Sequence, residues 1–266
     1  MEVLQRPGGE LATRPIHFFW VVDCSGSMYG EKIGIVNNTI QECIPEMRSA
    51  ADNNPNAQLL IRALQFSSGA SWITSSPVPV EDYGWEDMDA NGLTELGKAF
   101  DLLAAQLSIP PMPERALPPV IVLLSDGQPT DDYKKSIEKL KKLPWFRKAV
   151  KIAISIGQDA DDEVLIEFTG NKELVLQVNN ATALAKMIKW ASTTASMVSA
   201  PSSKPMNSVA ASTPAASVST PAAASGASVA SAPADDPFAP ANNGAPLVLD
   251  MSNIPNPDDF DEGAVW

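Results

Sequence analysis

Short apolar runs alternate along the chain with segments in which apolar residues recur every three or four positions. The run from Ile16 to Val22 is almost wholly apolar, as is typical of a central parallel strand that is buried on both faces. Helical spacing follows at Ile33, Val36, Ile40, Ile44 and Met47. This spacing predicts a helix with one buried face, which Pro45 is expected to kink or shorten.

The same alternation continues to about residue 194. Further strands are predicted at residues 57–66, 71–74, 119–124, 150–157 and 174–178. The short strand at 71–74 is expected to be an antiparallel edge strand, joined to the strand at 57–66 by a tight turn. Further helices are predicted at residues 96–107, 131–143, 161–168 and 181–194. Because alternating strands and helices build a parallel sheet covered on both faces, we expect a doubly wound, mostly parallel six-stranded α/β fold of Rossmann-like type.

Composition divides the chain into three parts. Residues 1–195 mix large apolar and charged side chains in the proportions of one folded domain. Residues 196–245 are mostly Ala, Ser, Pro and Thr, and they predict a disordered linker because they have little apolar area to offset the entropy of ordering. In residues 246–266 large apolar side chains return beside clustered carboxylates. The hypothesis is a docking motif, and the alternative is a chance composition.

The charge and the ends of the chain limit the classes of function. A formal net charge of −13 at pH 7 argues against binding to nucleic acid or to a membrane surface, since phosphates would be repelled. The N-terminal residues 1–7 lack the features of a secretory signal, and no apolar run is long enough to span a bilayer. Cys24 and Cys43 are expected to be reduced thiols. These features predict a cytoplasmic protein.

Oxygen-bearing side chains follow two of the buried strands. Asp23, Ser25 and Ser27 occupy alternate positions of one loop, Asp126 follows the fourth strand, and Thr94 lies in a glycine-punctuated segment. The three loops are expected to meet at the carboxyl edge of the sheet. Oxygen donors without His or Cys suit Mg²⁺ or Mn²⁺ better than Zn²⁺. An ion held by few charged ligands would keep an exchangeable position for an external carboxylate.

This pattern, Asp23-x-Ser25-x-Ser27 with a distant Thr94 and then Asp126, resembles the metal-ion-dependent adhesion site of von Willebrand factor A (VWA) domains. The resemblance implies Ser25, Ser27 and Thr94 as direct metal ligands. It also implies that Asp23 and Asp126 bind the ion directly or through water. In the sheet order of this family, the first and fourth strands flank the topological switch point, where ligands bind in open α/β sheets.

The resemblance covers about residues 14–195 and includes the order of the elements. Residues 122–131 look most similar to the bacterial intracellular branch of tellurium-resistance TerY-like proteins. That branch implies a protein kinase or phosphatase as partner, in a stress-response or phage-defence system. Some relatives carry a zinc-binding C-terminal extension, whereas this chain has no cysteine pairs there. No function that rests on that extension is carried over.

Three functions fit the sequence. The leading hypothesis is a metal-dependent protein-interaction module or scaffold, not an enzyme, in which Mg²⁺ captures an Asp or Glu side chain of a partner protein. A Mg²⁺-dependent hydrolase is the alternative, although no general base is evident and the only histidine, His17, opens a buried strand. A regulatory substrate phosphorylated on its Ser/Thr-rich tail is the third. The oligomeric state is left open.

Several residues have a structural and a functional interpretation. Trp145 and Phe146 lie in a predicted connection, where they would either anchor a partner or cover the edge of the core. Cys24 is interpreted as a small packing residue of the metal loop, because the motif offers no basic side chain to lower the pKa of its thiol. The lysines at 134, 135, 139, 141 and 142 are interpreted as the solvated face of a helix.

Overall fold

The computed structural model of the protein describes residues 14–52, 57–126, 128–157, 160–178 and 186. Seven strands of this part form one sheet: β1 Arg14–Asp23, β2 Ala57–Ser67, β3 Gly69–Trp72, β4 Val78–Pro79, β5 Val120–Ser125, β6 Val150–Ile156 and β7 Val175–Val178. Their order is β3-β2-β1-β5-β6-β7, and β4 pairs with β2. Only β3 and β4 are antiparallel to their neighbour. The doubly wound, mostly parallel sheet is confirmed, and the two-residue β4 adds to the six predicted strands.

The helices lie between the strands in chain order. They are α1 Glu31–Asp52, α2 Leu96–Gln106, α3 Tyr133–Lys141, α4 Pro144–Lys148 and α5 Asp162–Thr169. Short 3-10 turns occupy Gly26–Met28 and Lys172–Leu174. Within the described residues, no helix is both long enough and apolar enough to cross a membrane.

Strand β1 supplies both hydrophobic cores of the domain. Phe18, Trp20 and Val22 pack in the core that contains the apolar face of α1. Phe19 and Val21 point to the other side of the sheet, into the core formed with α2, α3, α4 and α5. All five side chains are fully buried. Because successive residues of a strand face opposite sides, the apolar run at 16–22 is explained by helices on both faces of the sheet.

Helix α1 runs seven residues past Pro45, so of the two expected effects, a kink or a shortening, the shortening does not occur. Proline removes one backbone donor inside a helix. Burial of Ile44 and Met47 against the sheet offsets that loss. The last turns are also held from outside the helix, because the Arg48 guanidinium donates hydrogen bonds to the carbonyls of Val80 and Tyr83, both at 2.9 Å.

Helix α3 lies within the predicted helix at 131–143, and a second, short helix that was not predicted follows it. Helix α3 ends at Lys141, and α4 begins with Pro144, a favoured first helical residue. Trp145 and Phe146 belong to α4 and are buried at 7% and 3% exposure. The core interpretation of this aromatic pair is therefore confirmed, and the pair is not available to anchor a partner.

Several predictions concern residues that the structure does not describe. The helix predicted at 181–194, apart from residue 186, lies outside the described residues. So do the proposed linker at 196–245 and the C-terminal segment at 246–266. The division of the chain into these parts stays a prediction.

Candidate metal site

Adjacent parallel strands β1 and β5 form the centre of the site. Asp23 ends β1, and Asp126 follows the last residue of β5. Moving outward from this pair, the sheet continues to β2 and β3 on one side and to β6 and β7 on the other. The order therefore reverses between β1 and β5, which makes this edge the topological switch point expected from the sequence.

Asp23 is completely buried, and both of its carboxylate oxygens accept hydrogen bonds. Oδ1 accepts from the backbone N–H of Ser25 at 2.8 Å, and Oδ2 accepts from the Ser125 hydroxyl at 2.6 Å. Burial raises the pKa of Asp23, and the nearby charge of Asp126 adds to this rise, whereas the bonds from the two serines oppose it. Asp23 therefore fixes the β1 loop to the end of β5.

Three side-chain oxygens of the site are linked in series by hydrogen bonds. The Ser25 and Ser27 hydroxyls lie 3.0 Å apart, and the Ser27 hydroxyl donates to Asp126 Oδ1 at 2.7 Å. Ser25 and Asp126 are buried, whereas Ser27 is exposed. The alternate spacing of the serines brings both hydroxyls to one side of the loop, and Ser27 opens that side to solvent.

Lys32, in the first turn of α1, is a member of the site that the sequence analysis missed. Its ammonium lies 2.5 Å from Asp126 Oδ2. The Lys32 side chain is 20% exposed and the Asp126 side chain 1% exposed. The ammonium therefore balances one of the two buried carboxylates, and the site keeps a formal excess of negative charge.

Backbone hydrogen bonds of its loop, not bonds of its side chain, hold Thr94 at the same edge of the sheet. Its backbone N–H donates to the Thr130 hydroxyl at 3.2 Å, and its carbonyl accepts from the Thr130 N–H at 2.8 Å. Gly92 O accepts from the Gly26 N–H at 3.1 Å, and Asn91 N–H donates to Cys24 O at 2.8 Å. Within the described residues, the buried Thr94 hydroxyl makes no hydrogen bond to the other four predicted ligands. The structure thus links the side chains of Ser25, Ser27 and Asp126 by hydrogen bonds, attaches Asp23 through the Ser25 N–H, and attaches the Thr94 loop through the backbone.

The donor set suits a hard divalent cation. Carboxylate and hydroxyl oxygens are the ligands that Mg²⁺ and Mn²⁺ prefer. Among the described residues, no three His, Cys, Asp or Glu side chains cluster as in a site made of imidazoles, thiolates or carboxylates alone. The residues present fit an ion that takes its charge balance from Asp23 and Asp126 and its remaining protein ligands from hydroxyls.

Two other candidates take no part in the site. His17 is 4% exposed near the start of β1, six residues or roughly 20 Å along the strand from Asp23. Burial lowers the pKa of His17 to about 4. Cys24 is 3% exposed beside the Met88 sulfur at 3.6 Å, and burial raises the pKa of its thiol to about 12. The packing interpretation of Cys24 is confirmed.

The doubly wound sheet, with carboxylate and hydroxyl side chains in the loops at its switch point, is typical of the class of α/β ligand-binding domains. The particular family follows from the sequence, because the profile of the von Willebrand factor type A domain matches residues 19–190. The chain belongs to the VWA domain family. VWA domains mediate protein–protein interactions, many of them metal-dependent. Among curated proteins, none matches the chain significantly by sequence.

Solved structures share the fold at low sequence identity. The ArnB paralog VWA2 from Sulfolobus acidocaldarius superposes with a TM-score of 0.50 and 20% identity, over 65% of this chain and 44% of its own. A von Willebrand factor type A structure from Catenulispora acidiphila gives 0.50 and 15%, over 69% and 43%. Proximal thread matrix protein 1 from the mussel byssus gives 0.51 and 18%, over 71% and 49%. The chain spans less than half the length of each, so the likeness concerns the domain fold.

Proposed function

We propose that this domain is a metal-dependent protein-interaction module in which Mg²⁺ or Mn²⁺ at the β1–β5 edge captures an Asp or Glu side chain of a partner protein. The observation that carries the proposal is the meeting of two buried carboxylates, Asp23 and Asp126, with the Ser25 and Ser27 hydroxyls at the switch point. When bound, the cation supplies an open coordination position that favours an anionic ligand.

The protein groups have distinct roles in this proposal. Ser25, Ser27 and Thr94 are proposed as direct ligands through their hydroxyls, as the family resemblance implies. Asp126 contributes charge, and it must then share or give up its ion pair with Lys32. Asp23 holds the loop in place through Ser25 and Ser125, so that ligand positions are set before the ion arrives.

A binding role is favoured over hydrolysis by the surroundings of these oxygens. A hydrolase needs a general base within hydrogen-bond reach of the attacking water. The only histidine of the chain is buried in β1, remote from the switch point. Among the described residues, the basic group that contacts the four predicted ligands is the Lys32 ammonium, which is paired with Asp126. We therefore propose a module without catalytic activity of its own.

The metal site is tested by thermal unfolding with and without Mg²⁺. An ion that binds only the folded domain stabilises it by mass action, by about 2.7 kcal/mol at a concentration of 100 times Kd. For a domain of this size that corresponds to a rise in Tm of roughly 5–10 °C. Asp126→Asn should abolish the rise. The matched control is Asp101→Asn, because Asp101 is also paired with a lysine, Lys139, but on the surface of α2.

The control variant should keep the full metal-dependent rise. A wild-type Tm that does not change at millimolar Mg²⁺ or Mn²⁺ would overturn the site assignment. The partner is then sought by affinity purification of the whole chain from its native cells, in Mg²⁺ and in EDTA, with wild type and Asp126→Asn. Following the TerY-like resemblance, we expect a kinase or phosphatase of a stress-response or phage-defence system among the proteins that are lost both in EDTA and with Asp126→Asn.

A further inference from the structure

Exposed apolar side chains flank the candidate metal site. Among the described residues, only three large hydrophobic side chains are exposed: Tyr29 at 79%, Leu93 at 54% and Ile109 at 54%. Tyr29 lies two residues after Ser27, and Leu93 immediately precedes Thr94. Two of the three therefore stand beside proposed metal ligands.

The loops that carry Tyr29 and Leu93 are directly connected. The N–H of Gly26 bonds to Gly92 O at 3.1 Å, and the N–H of Tyr29 bonds to Gly26 O at 3.2 Å. The N–H of Leu93 is held by the Ser68 hydroxyl at 3.0 Å. These bonds place the two side chains on neighbouring backbone segments at one edge. We call the pair Tyr29 and Leu93 the apolar rim of the site.

The opposite end of α2 provides a contrast. Ile109 is exposed to the same degree as Leu93 but follows the end of α2, whereas Leu93 precedes its beginning. Eleven helical residues separate the two positions by roughly 16 Å. Ile109 is therefore an equally exposed apolar residue away from the metal edge, and it serves as a matched control for the apolar rim.

A ligand for this surface combines a carboxylate for the cation with a large apolar side chain next to it. The C-terminal segment of this chain has that composition in residues 258–261, Asp-Asp-Phe-Asp, followed by Glu262 and Trp266. The linker predicted between 196 and 245 has about 50 residues, for which the root-mean-square reach is roughly 40 Å. That length is enough to return to the metal edge of the same domain.

We propose that residues 257–266 bind in cis across the metal site, with one carboxylate of Asp258, Asp259 or Asp261 on the cation and Phe260 against the apolar rim. The inference rests on the proposed metal-dependent function. A tethered segment acts at an effective concentration in the millimolar range. Because the whole chain carries a formal net charge of −13 at pH 7, the cation and the apolar contact together must outweigh charge repulsion. A partner protein gains access by displacing this segment.

The test uses the full chain and a labelled synthetic peptide of residues 254–266, with binding followed by fluorescence anisotropy. The tail variant carries Asp258→Asn, Asp259→Asn, Asp261→Asn and Phe260→Ala together. In Mg²⁺ we expect the peptide to bind the tail variant at least about tenfold more tightly than the wild-type chain, since the cis segment no longer competes. EDTA should abolish the binding.

The apolar rim is tested in the background of the tail variant. Leu93→Ser and Tyr29→Ser should each weaken peptide binding about tenfold, and Ile109→Ser should leave it unchanged. The rise of Tm in Mg²⁺, measured on every variant, reports the metal site independently. If that rise is present and the peptide does not bind, the cis segment is the wrong occupant and the metal site stands.

Other outcomes overturn the proposal in distinct ways. Equal peptide binding to the wild-type chain and the tail variant would show that the segment does not occupy the site in cis. Binding that persists in EDTA and weakens with salt would assign the segment to the exposed lysines of α3, such as Lys134 and Lys135, instead. Equal effects of the three serine substitutions would show that the apolar rim does not contribute to peptide binding. Absence of the metal-dependent Tm rise would reject the proposed function itself.

Discussion

Lys32 supplies a positive charge at the position where a metal ion would otherwise balance Asp126. The ammonium lies 2.5 Å from Asp126 Oδ2, and that carboxylate is almost completely buried. Charges a few ångströms apart near a protein surface interact by several kcal/mol. The fixed ammonium therefore competes with a cation for the same oxygen. In the metal-free domain, the Lys32 ammonium also gives the buried Asp126 carboxylate a partner of opposite charge.

Replacing Lys32 with Met should therefore have two opposite effects. Affinity for Mg²⁺ should rise at least about tenfold, which corresponds to about 1.4 kcal/mol. In EDTA the variant should unfold at a lower temperature, because Asp126 loses its partner. Titration calorimetry and thermal unfolding measure the two effects, with Lys98→Met as control, since Lys98 pairs with Glu95 on the surface. Unchanged Mg²⁺ affinity would contradict the competition.

His17 links the stability of the fold to pH. Burial lowers the pKa of His17 to about 4, below its ordinary value of 6.5, and burial is the only cause. Both ring nitrogens lack a hydrogen-bond partner among the described residues. The unfolded chain thus binds a proton between pH 6.5 and pH 4, whereas the folded domain does not. Stability is fully present above pH 6.5 and declines as the pH falls toward 4.

Urea unfolding should accordingly show a loss of about 2 kcal/mol from His17 between pH 7 and pH 5. His17→Leu places an apolar side chain that cannot be protonated at this buried strand position. The variant should lose less stability than wild type over the same interval, and the difference between the two isolates the histidine from titrating carboxylates. Parallel pH profiles of the two proteins would refute this account.

The identities of single residues show how far the sequence could predict the site. The grouping of Asp23, Ser25, Ser27 and Asp126 was predictable because each stands at the end of a buried strand or in the loop directly after one. Lys32 was not, since a lysine in the first turn of a helix usually faces solvent and its contact with Asp126 spans 94 positions. The sequence also gave no sign that the backbone of Thr94, rather than its hydroxyl, makes the hydrogen bonds that fix its loop.

At the scale of elements, helix α2 begins against the loop that follows β5. The Asp131 carboxylate accepts hydrogen bonds from the N–H groups of Gly97 at 3.1 Å and Lys98 at 3.3 Å. A carboxylate at this end of a helix also interacts favourably with the helix dipole. Asp131 therefore caps α2 from a distant part of the chain and holds the Thr94 loop beside the β5 loop.

Gly97→Ala should destabilise the domain by about 1–3 kcal/mol, although alanine is the better helix former by about 1 kcal/mol. An added Cβ would lie 2.8 Å from Asp131 Oδ2 and 3.0 Å from the Tyr133 Cα. Gly34→Ala in α1 is the control, because its Cβ would meet nothing within 4 Å. We expect Gly34→Ala to be neutral or slightly stabilising in urea unfolding. Equal effects of the two substitutions would disprove the steric account.

Elements were easier to predict than their ends. Strand and helix positions agree with the apolar pattern, because burial on one or two faces leaves a strong periodic signal. Pro45 misled the prediction, because its local effect on α1 is smaller than the packing of Ile44 and Met47 and the two bonds from Arg48. Such tertiary contacts are not encoded in local sequence, which explains why the full length of α1 beyond Pro45 was not predictable.

For the whole molecule, we expect the folded domain to be independent of the Ala/Ser/Pro-rich part. Residues 196–245 contain few large apolar side chains, so their removal should cost little buried area. A chain truncated after Ala200 should unfold at the same temperature as the full chain in EDTA. Limited proteolysis of the full chain should give a stable fragment ending before residue 210. A resistant fragment that extends well beyond that point would contradict the boundary.

The backbone bonds between the loops have a consequence for how this domain can diversify. Cys24 with Asn91, Gly26 with Gly92, and Thr94 with Thr130 are joined through main-chain atoms. Main-chain atoms are common to all residues, so the loops keep their positions when outward-facing side chains are replaced. Tyr29 and Leu93 can therefore be replaced by other residues while the oxygen ligands keep their positions. Selection can retarget such a domain to a new partner without rebuilding the ion chemistry.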